Sequence, residues 1–161
     1  MVRQEGNRLV IEEGLTRVYI ECWGESSLRV RMTAEPEMDQ NDWALCEKVE
    51  EVTPVITFTE VDVTDPWYKG EEWKKYHQTG TVATLINGKI TAEVSPEGWI
   101  RFLNQRGEVL TEEYWRNRNR INRYCVPIRV DARELKPVMG SCDYELTARF
   151  EAYDDEKIFG M

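Results

Sequence analysis

Thr81-Val82-Ala83-Thr84-Leu85-Ile86-Asn87-Gly88-Lys89-Ile90-Thr91-Ala92-Glu93-Val94 is the stretch that decides the fold. Two runs rich in β-branched residues alternate apolar with polar side chains. Asn87-Gly88 between them readily takes the two positive φ angles of a type I′ turn, so the stretch predicts a β-hairpin. Working outward, Pro96-Glu97-Gly98 turns the chain into Trp99-Ile100-Arg101-Phe102-Leu103, and Asn104-Gln105-Arg106-Gly107 turns it again into Glu108-Val109-Leu110. Four short strands in succession make a meander.

The same period of two runs through residues 8–12, 16–23 and 27–33, with Glu13-Gly14 and Gly24-Glu25-Ser26 as the turns. Alternation of this kind puts one face of a strand on a core and the other in water, and such short connections imply antiparallel neighbours. Residues 55–59 read as one more strand. Residues 126–130 are extended, with Pro127 confining them to an edge or a bulge. Residues 143–153 alternate over a long strand whose even-numbered positions from Tyr144 to Phe150 face one way. Alternation stops at Thr111, which is suited to cap one or two helical turns through Glu112-Glu113-Tyr114-Trp115. Many short strands with hardly any helix predict an all-β fold: an antiparallel two-sheet β-sandwich with one or two short helical turns.

A length of 161 residues with 41% hydrophobic side chains is sufficient for one compact domain with its own core. Thirty Asp or Glu against 21 Lys or Arg leave a net charge of −9, which argues against a general binder of nucleic acid or anionic membranes. No apolar run approaches the roughly 20 residues that span a bilayer, and residues 1–7 have no signal-peptide character. A soluble, cytoplasmic protein is the expectation. Cys22, Cys46, Cys125 and Cys142 form no Cys-x-x-Cys pair, and His77 is the single histidine. No metal site is therefore expected, and the cysteines read as reduced, mostly buried thiols.

The paired acids, among them Glu12-Glu13 and Glu112-Glu113, read as solvated charge, because neighbours on a strand point to opposite faces and cannot flank one glycosidic bond. Two irregular segments carry more chemistry. In residues 65–77 the rings of Trp67, Tyr68, Trp73 and Tyr76 either stack on sugar faces or fold back to cover the sandwich. In residues 115–124 four arginines stand among amides and aromatics, suited to an interface, a ligand site or, against the acidic background, unpaired bases. His77 has no neighbouring nucleophile motif.

The chain ends on Ile158-Phe159-Gly160-Met161 in mid-pattern, which reads as a cut inside a longer protein rather than a natural end tucked onto the core. Several pieces then share a resemblance: residues 87–94, Gly98-Trp99-Ile100-Arg101-Phe102-Leu103, Gly107-Glu108-Val109-Leu110-Thr111-Glu112-Glu113 and Leu28-Arg29-Val30-Arg31. Together with Tyr144-Glu145-Leu146-Thr147-Ala148-Arg149-Phe150 and Asp155-Glu156-Lys157-Ile158-Phe159-Gly160, their order resembles the N-terminal β-sandwich of glycoside hydrolase family 31. That family comprises the α-glucosidases and α-xylosidases, and the α-xylosidase-like branch is slightly preferred.

The resemblance implies a galactose mutarotase-like supersandwich spanning residues 1–161 as a single domain, placed before a catalytic (β/α)₈ barrel. It implies a parent enzyme that cleaves α-linked glycosyl residues with retention, using two aspartates of the barrel, so that no catalytic residue lies in this chain. A barrel needs roughly 250 residues, more than are present. No cofactor is implied. The partners implied are an α-linked oligosaccharide and the barrel in cis, without nucleic acid or membrane, and a homo-oligomer stays open. Trp67, Tyr68, Trp115 and Arg116 are the residues expected to reach a substrate site. The competing readings are a free-standing carbohydrate-binding module and a protein-interaction domain built on the arginine run.

Overall fold

The computed structural model describes residues 1–41, 50–62, 79–114 and 132–151. They carry strands β1 (Val2–Glu5), β2 (Arg8–Glu13), β3 (Thr16–Cys22), β4 (Leu28–Thr33), β5 (Val55–Asp62), β6 (Thr79–Asn87), β7 (Ile90–Val94), β8 (Ile100–Asn104), β9 (Val109–Glu112), β10 (Arg133–Pro137) and β11 (Tyr144–Ala148). One sheet runs β1-β2-β3-β4 and a second runs β5-β6-β7-β8-β9, each with neighbours in sequence as neighbours in space; β10 and β11 form a two-stranded ribbon. All pairings are antiparallel. The expected sandwich of two large antiparallel sheets is what the chain adopts.

Alternation sets the inner faces. Leu9 and Ile11 of β2 and Val18 and Ile20 of β3 meet Ala83 and Leu85 of β6, Ala92 and Val94 of β7 and Ile100 of β8 in one buried cluster. The alanines leave room for the larger aliphatic side chains opposite, so the faces interdigitate. Each fully buried Leu, Ile or Val contributes about 1.5–3 kcal/mol relative to exposure. Val2, Cys22, Met32, Ile56 and Phe102 close the periphery of the cluster.

The outer face of the first sheet is also covered, by ions. Val10 and Tyr19 stand opposite each other there and are buried, because Arg3 and Arg31 flank them in register and the Arg8 guanidinium lies 4.6 Å above the Tyr19 ring. Glu21 collects Arg8 at 3.3 Å, Arg29 at 3.0 Å and Arg31 at 3.0 Å. Arginine stems thus shield apolar surface while their heads are held by carboxylates. Burial alone opposes ionisation of Glu21, but its bonds and charge pairing with Arg31 and Arg29 outweigh this and hold the carboxyl below its ordinary range.

The Asn87-Gly88 hairpin forms one residue later than the dipeptide predicts. Asn87 pairs with Ile90, so Gly88 and Lys89 are the loop. Only Gly88 has a positive φ, +57°, which is the sign pattern of a type II′ turn with glycine first. Asn87 stays in the strand because its buried amide donates to the carbonyls of Gly24 and Ser27, both at 2.7 Å. The Lys89 N–H donates to Ser26 Oγ at 3.0 Å. The β6–β7 turn is thereby clasped to the β3–β4 turn, joining the two sheets at one end. The slide moves each partner two places along β7, so the core face is unchanged.

Three expectations need correction. No helical turn begins at Thr111: Thr111 and Glu112 belong to β9, and Glu113 bridges to Phe150, since the main chain here is recruited by a neighbouring strand. The long strand through residues 143–153 is cut to Tyr144–Ala148. Cys142 is exposed while Cys22 is half-buried, with burial pushing its thiol pKa up. β1 and β10 were not anticipated from the sequence, as each has too few apolar residues to show a period. The extended reading of residues 126–130 lies outside the described residues.

Three substitutions test these contacts through stability. Gly88→Ala places a Cβ against the Ser26 side chain at a positive φ and is expected to cost about 1–3 kcal/mol in urea unfolding. Asn87→Ala, which strips the Gly24 carbonyl of its Asn87 donor and leaves the Ser27 carbonyl with the Trp23 N–H alone, should cost a similar amount. Because the folded pKa of Glu21 is depressed, its contribution is present above the ordinary carboxylate pKa and lost as pH falls through the folded value. Glu21→Gln should therefore be less stable than the parent chain near neutrality and lose less of its stability on acidification, as read from urea midpoints.

Candidate functional site

Trp67 and Tyr68 lie in residues 63–78, and Trp115 and Arg116 in residues 115–131. All four fall outside the described residues, as do Trp73, Tyr76, His77 and the arginine run. The strands that carry these two connections are described, and they place the points of departure and return. Asp62 pairs directly with Thr79, so residues 63–78 join adjacent positions on neighbouring strands. Tyr114 N donates to the Arg149 carbonyl at 2.8 Å, and Arg149 N donates to the Ala132 carbonyl at 2.8 Å. Residues 115–131 thus start and finish against one residue of the β11 segment.

Both connections arise at the same end of the sandwich. β5 ends at Asp62, β6 begins at Thr79, β7 ends at Val94, β8 begins at Ile100 and β9 ends at Glu112, all opposite the Gly88 turn. The same end holds an open hollow lined by Met1, Val2, Thr79, Thr81, Pro96 and Glu97. Sequence spacing alone does not bring residues 63–78 and 115–131 to one rim; the up-and-down order of the second sheet does.

A buried ion pair stands at this rim. The Glu113 residue is 5% exposed and the Arg133 side chain 7%. The Ile100 N–H donates to Glu113 Oε2 at 2.8 Å, and Arg133 Nη1 lies 3.3 Å from Glu113 Oε1. Arg133 Nη2 donates to the Gly98 carbonyl at 2.7 Å and approaches Glu13 at 3.7 Å. Gly98 adopts a φ of +90° with its Cα against Ile11, where a side chain would crowd Ile11 Cγ2. Arg133 therefore ties β10 to the β7–β8 turn and the first sheet. Burial pushes the Glu113 carboxyl above its ordinary range, offset in part by Arg133 and the Ile100 N–H, with Glu13 adding to the rise.

With both oxygens engaged, Glu113 acts as a strut. It corrects the reading of Glu112-Glu113 as solvated charge, and the signal was available: on a strand, neighbours point to opposite faces, so one of two adjacent acids beside a core points inward. No group of three or more His, Cys, Asp or Glu capable of holding a metal ion occurs among the described residues. No helix among them is long and apolar enough to cross a membrane.

Removing one partner of this pair leaves the other buried and uncompensated, so Arg133→Met is expected to cost about 3–5 kcal/mol at neutral pH. Since the folded pKa of Glu113 is raised, the folded state retains this proton longer than the unfolded state. Its contribution therefore declines as pH rises from the ordinary carboxylate range through the raised value. Glu113→Gln should abolish that part of the slope in a series of urea midpoints against pH.

No family model matches the chain. A protein described as an uncharacterized family 31 glucosidase, ORF2, from Pseudescherichia vulneris is 35% identical over 151 residues, covering 88% of this chain and 24% of the relative. The crystal structure of a GH31 α-xylosidase from a soil metagenome, complexed with xylose, superposes with a TM-score of 0.71 at 34% identity, covering 96% of this chain and 21% of that one. The chain thus spans between a fifth and a quarter of the relatives it matches. In sequence and in fold, this β-sandwich is homologous to a segment of the glycoside hydrolase family 31 enzymes.

Proposed function

We propose that this chain is the N-terminal, non-catalytic β-sandwich of a retaining α-glycosidase of α-xylosidase or α-glucosidase type, with a catalytic (β/α)₈ barrel in the same polypeptide. The observation that carries this reading is the match over 96% of the chain to only 21% of a GH31 α-xylosidase. An all-β chain of 161 residues has no room for a barrel of roughly 250, so the two carboxylates required for retention, spaced about 5–5.5 Å apart, lie elsewhere in the parent. The sandwich supports the barrel. One or both of its long connections extend from the rim toward the substrate, with Trp67, Tyr68, Trp115 and Arg116 shaping the subsite for the leaving group. An α-linked oligosaccharide is the substrate, no cofactor is required, and a cytoplasmic location accompanies this reading.

The test is an assay of 4-nitrophenyl α-xyloside and α-glucoside with this chain and with the product of its complete reading frame. The longer product is expected to turn over one or both, and the 161-residue chain neither. Turnover by the chain alone overturns the assignment of the catalytic pair. Saturable quenching of tryptophan fluorescence by oligosaccharides in the isolated chain, abolished by Trp67→Ala, would instead identify a free-standing binding module.

A further inference from the structure

Of the seven asparagines, Asn87 alone is followed by glycine, and this pair is set in the clasp between the β6–β7 and β3–β4 turns. An asparagine side chain can cyclise on the main-chain nitrogen of the next residue, and a glycine there, with no Cβ to crowd the approach, makes the reaction easiest. The fold requires both residues. Asn87 supplies the bonds to the Gly24 and Ser27 carbonyls. Gly88 supplies a φ of +57° and leaves room for Ser26, against whose Oγ a Cβ at position 88 would clash. Closure of this end therefore keeps the chain's most labile asparagine context in place.

The same contacts hold the pair unreacted. Cyclisation needs the side chain to fold back on its own main chain, whereas the Asn87 amide reaches to residues 63 and 60 positions earlier in sequence, donating to each at 2.7 Å. Both bonds must break before Cγ can meet the Gly88 nitrogen. Asn87 is 2% exposed, which keeps out the water and base that the reaction needs. None of the described residues donates to Asn87 Oδ1, so the negative charge that attack would place on this oxygen finds no protein donor there. On the other side of Gly88, the Lys89 N–H is held by Ser26 Oγ at 3.0 Å.

We propose that Asn87 is a modification site under the control of this clasp: the closed turns preserve the amide, and local opening commits it to deamidation. The Gly88 N–H gives up its proton to water or hydroxide, and the Gly88 nitrogen forms a bond to Asn87 Cγ. The Cγ–Nδ2 bond breaks, and Nδ2 leaves as ammonia with a proton returned to it. Water then opens the cyclic imide. Cleavage of the new bond to Cγ gives aspartate, and cleavage of the bond from the Gly88 nitrogen to the main-chain carbonyl carbon of residue 87 gives isoaspartate. One water is consumed, one ammonia is released, and nothing is oxidised or reduced. Neither product can close the clasp again. The aspartate carboxylate offers only acceptors to the Gly24 and Ser27 carbonyls, and burying it there leaves a charge without a partner. Isoaspartate adds a main-chain carbon to a two-residue turn and breaks its register. The modification thus makes a transient opening permanent.

The test follows the peptide that carries residues 87 and 88 by mass spectrometry, in the protein expressed from its complete reading frame and incubated in heavy-oxygen water, so that only conversions during the incubation are counted. Conversion in the folded protein is expected to be slower than in urea-unfolded protein by on the order of a hundredfold, because two hydrogen bonds and the burial of Asn87 must be given up first. Ser26→Ala removes the acceptor of the Lys89 N–H and touches neither reacting residue. It should raise the rate in the folded protein about fivefold, the equivalent of one net hydrogen bond, and leave the rate in urea unchanged. Ser26→Gly removes the same acceptor while relieving the φ of +59° at that residue, and should shift the rate in the same direction by less. Equal rates in folded and unfolded protein overturn the proposal, as does a folded rate that neither Ser26 variant changes. Unfolding of the isolated deamidated fraction at the parent's urea midpoint also overturns it, because the products would then close the clasp.

Discussion

The structure depends on the two sheets presenting apolar faces of matching shape. Leu9, Ile11, Val18 and Ile20 fill the space that Ala83 and Ala92 leave open, and the shared layer removes both faces from water. Apolar packing sets proximity but is weakly directional, so the relative placement of the sheets is fixed by polar contacts at the two ends. At one end Asn87 spans to the Gly24 and Ser27 carbonyls. At the other Arg133 links Gly98 and Glu113, of the second sheet's turn and edge, to Glu13 of the first sheet. Each contact gives a main-chain carbonyl, Gly24 at one end and Gly98 at the other, a side-chain donor.

This division of labour leaves the ends unequal. The Gly88 end is closed by two short turns bonded to each other. The opposite end carries the long connections and a buried ion pair. A scaffold with one closed end and one equipped end is suited to act beside a larger neighbour, and the family 31 relatives, four to five times longer than the segment matched, supply the context for one. The outer face of the first sheet takes no part in that asymmetry: its arginines and glutamates neutralise one another over Val10 and Tyr19.

Strands with strict alternation were legible in the sequence, and β2, β3, β4, β6, β7 and β8 lie where residues 8–12, 16–23, 27–33, 81–86, 89–94 and 99–103 predict them. The turn at Gly88 was legible in kind but not in register, because a distant pair of carbonyls competes for the Asn87 side chain. Glu113 was misread because a carboxylate's burial depends on a guanidinium twenty residues away in sequence. The expected substrate contacts, Trp67, Tyr68, Trp115 and Arg116, were chosen on composition and resemblance, and they lie outside the described residues. What can be added is that their two connections share one rim.

Periodicity by itself determined that this is a protein of short antiparallel strands, and which side of most strands faces the core, because a period of two is a local property of the backbone. Resemblance in the order of strands and turns identified the family. Only the tertiary structure decided the one-residue shift of the hairpin and the burial of Glu113 and Arg133. Each of these is settled by competition between groups far apart in the chain, and no local pattern records the outcome of that competition.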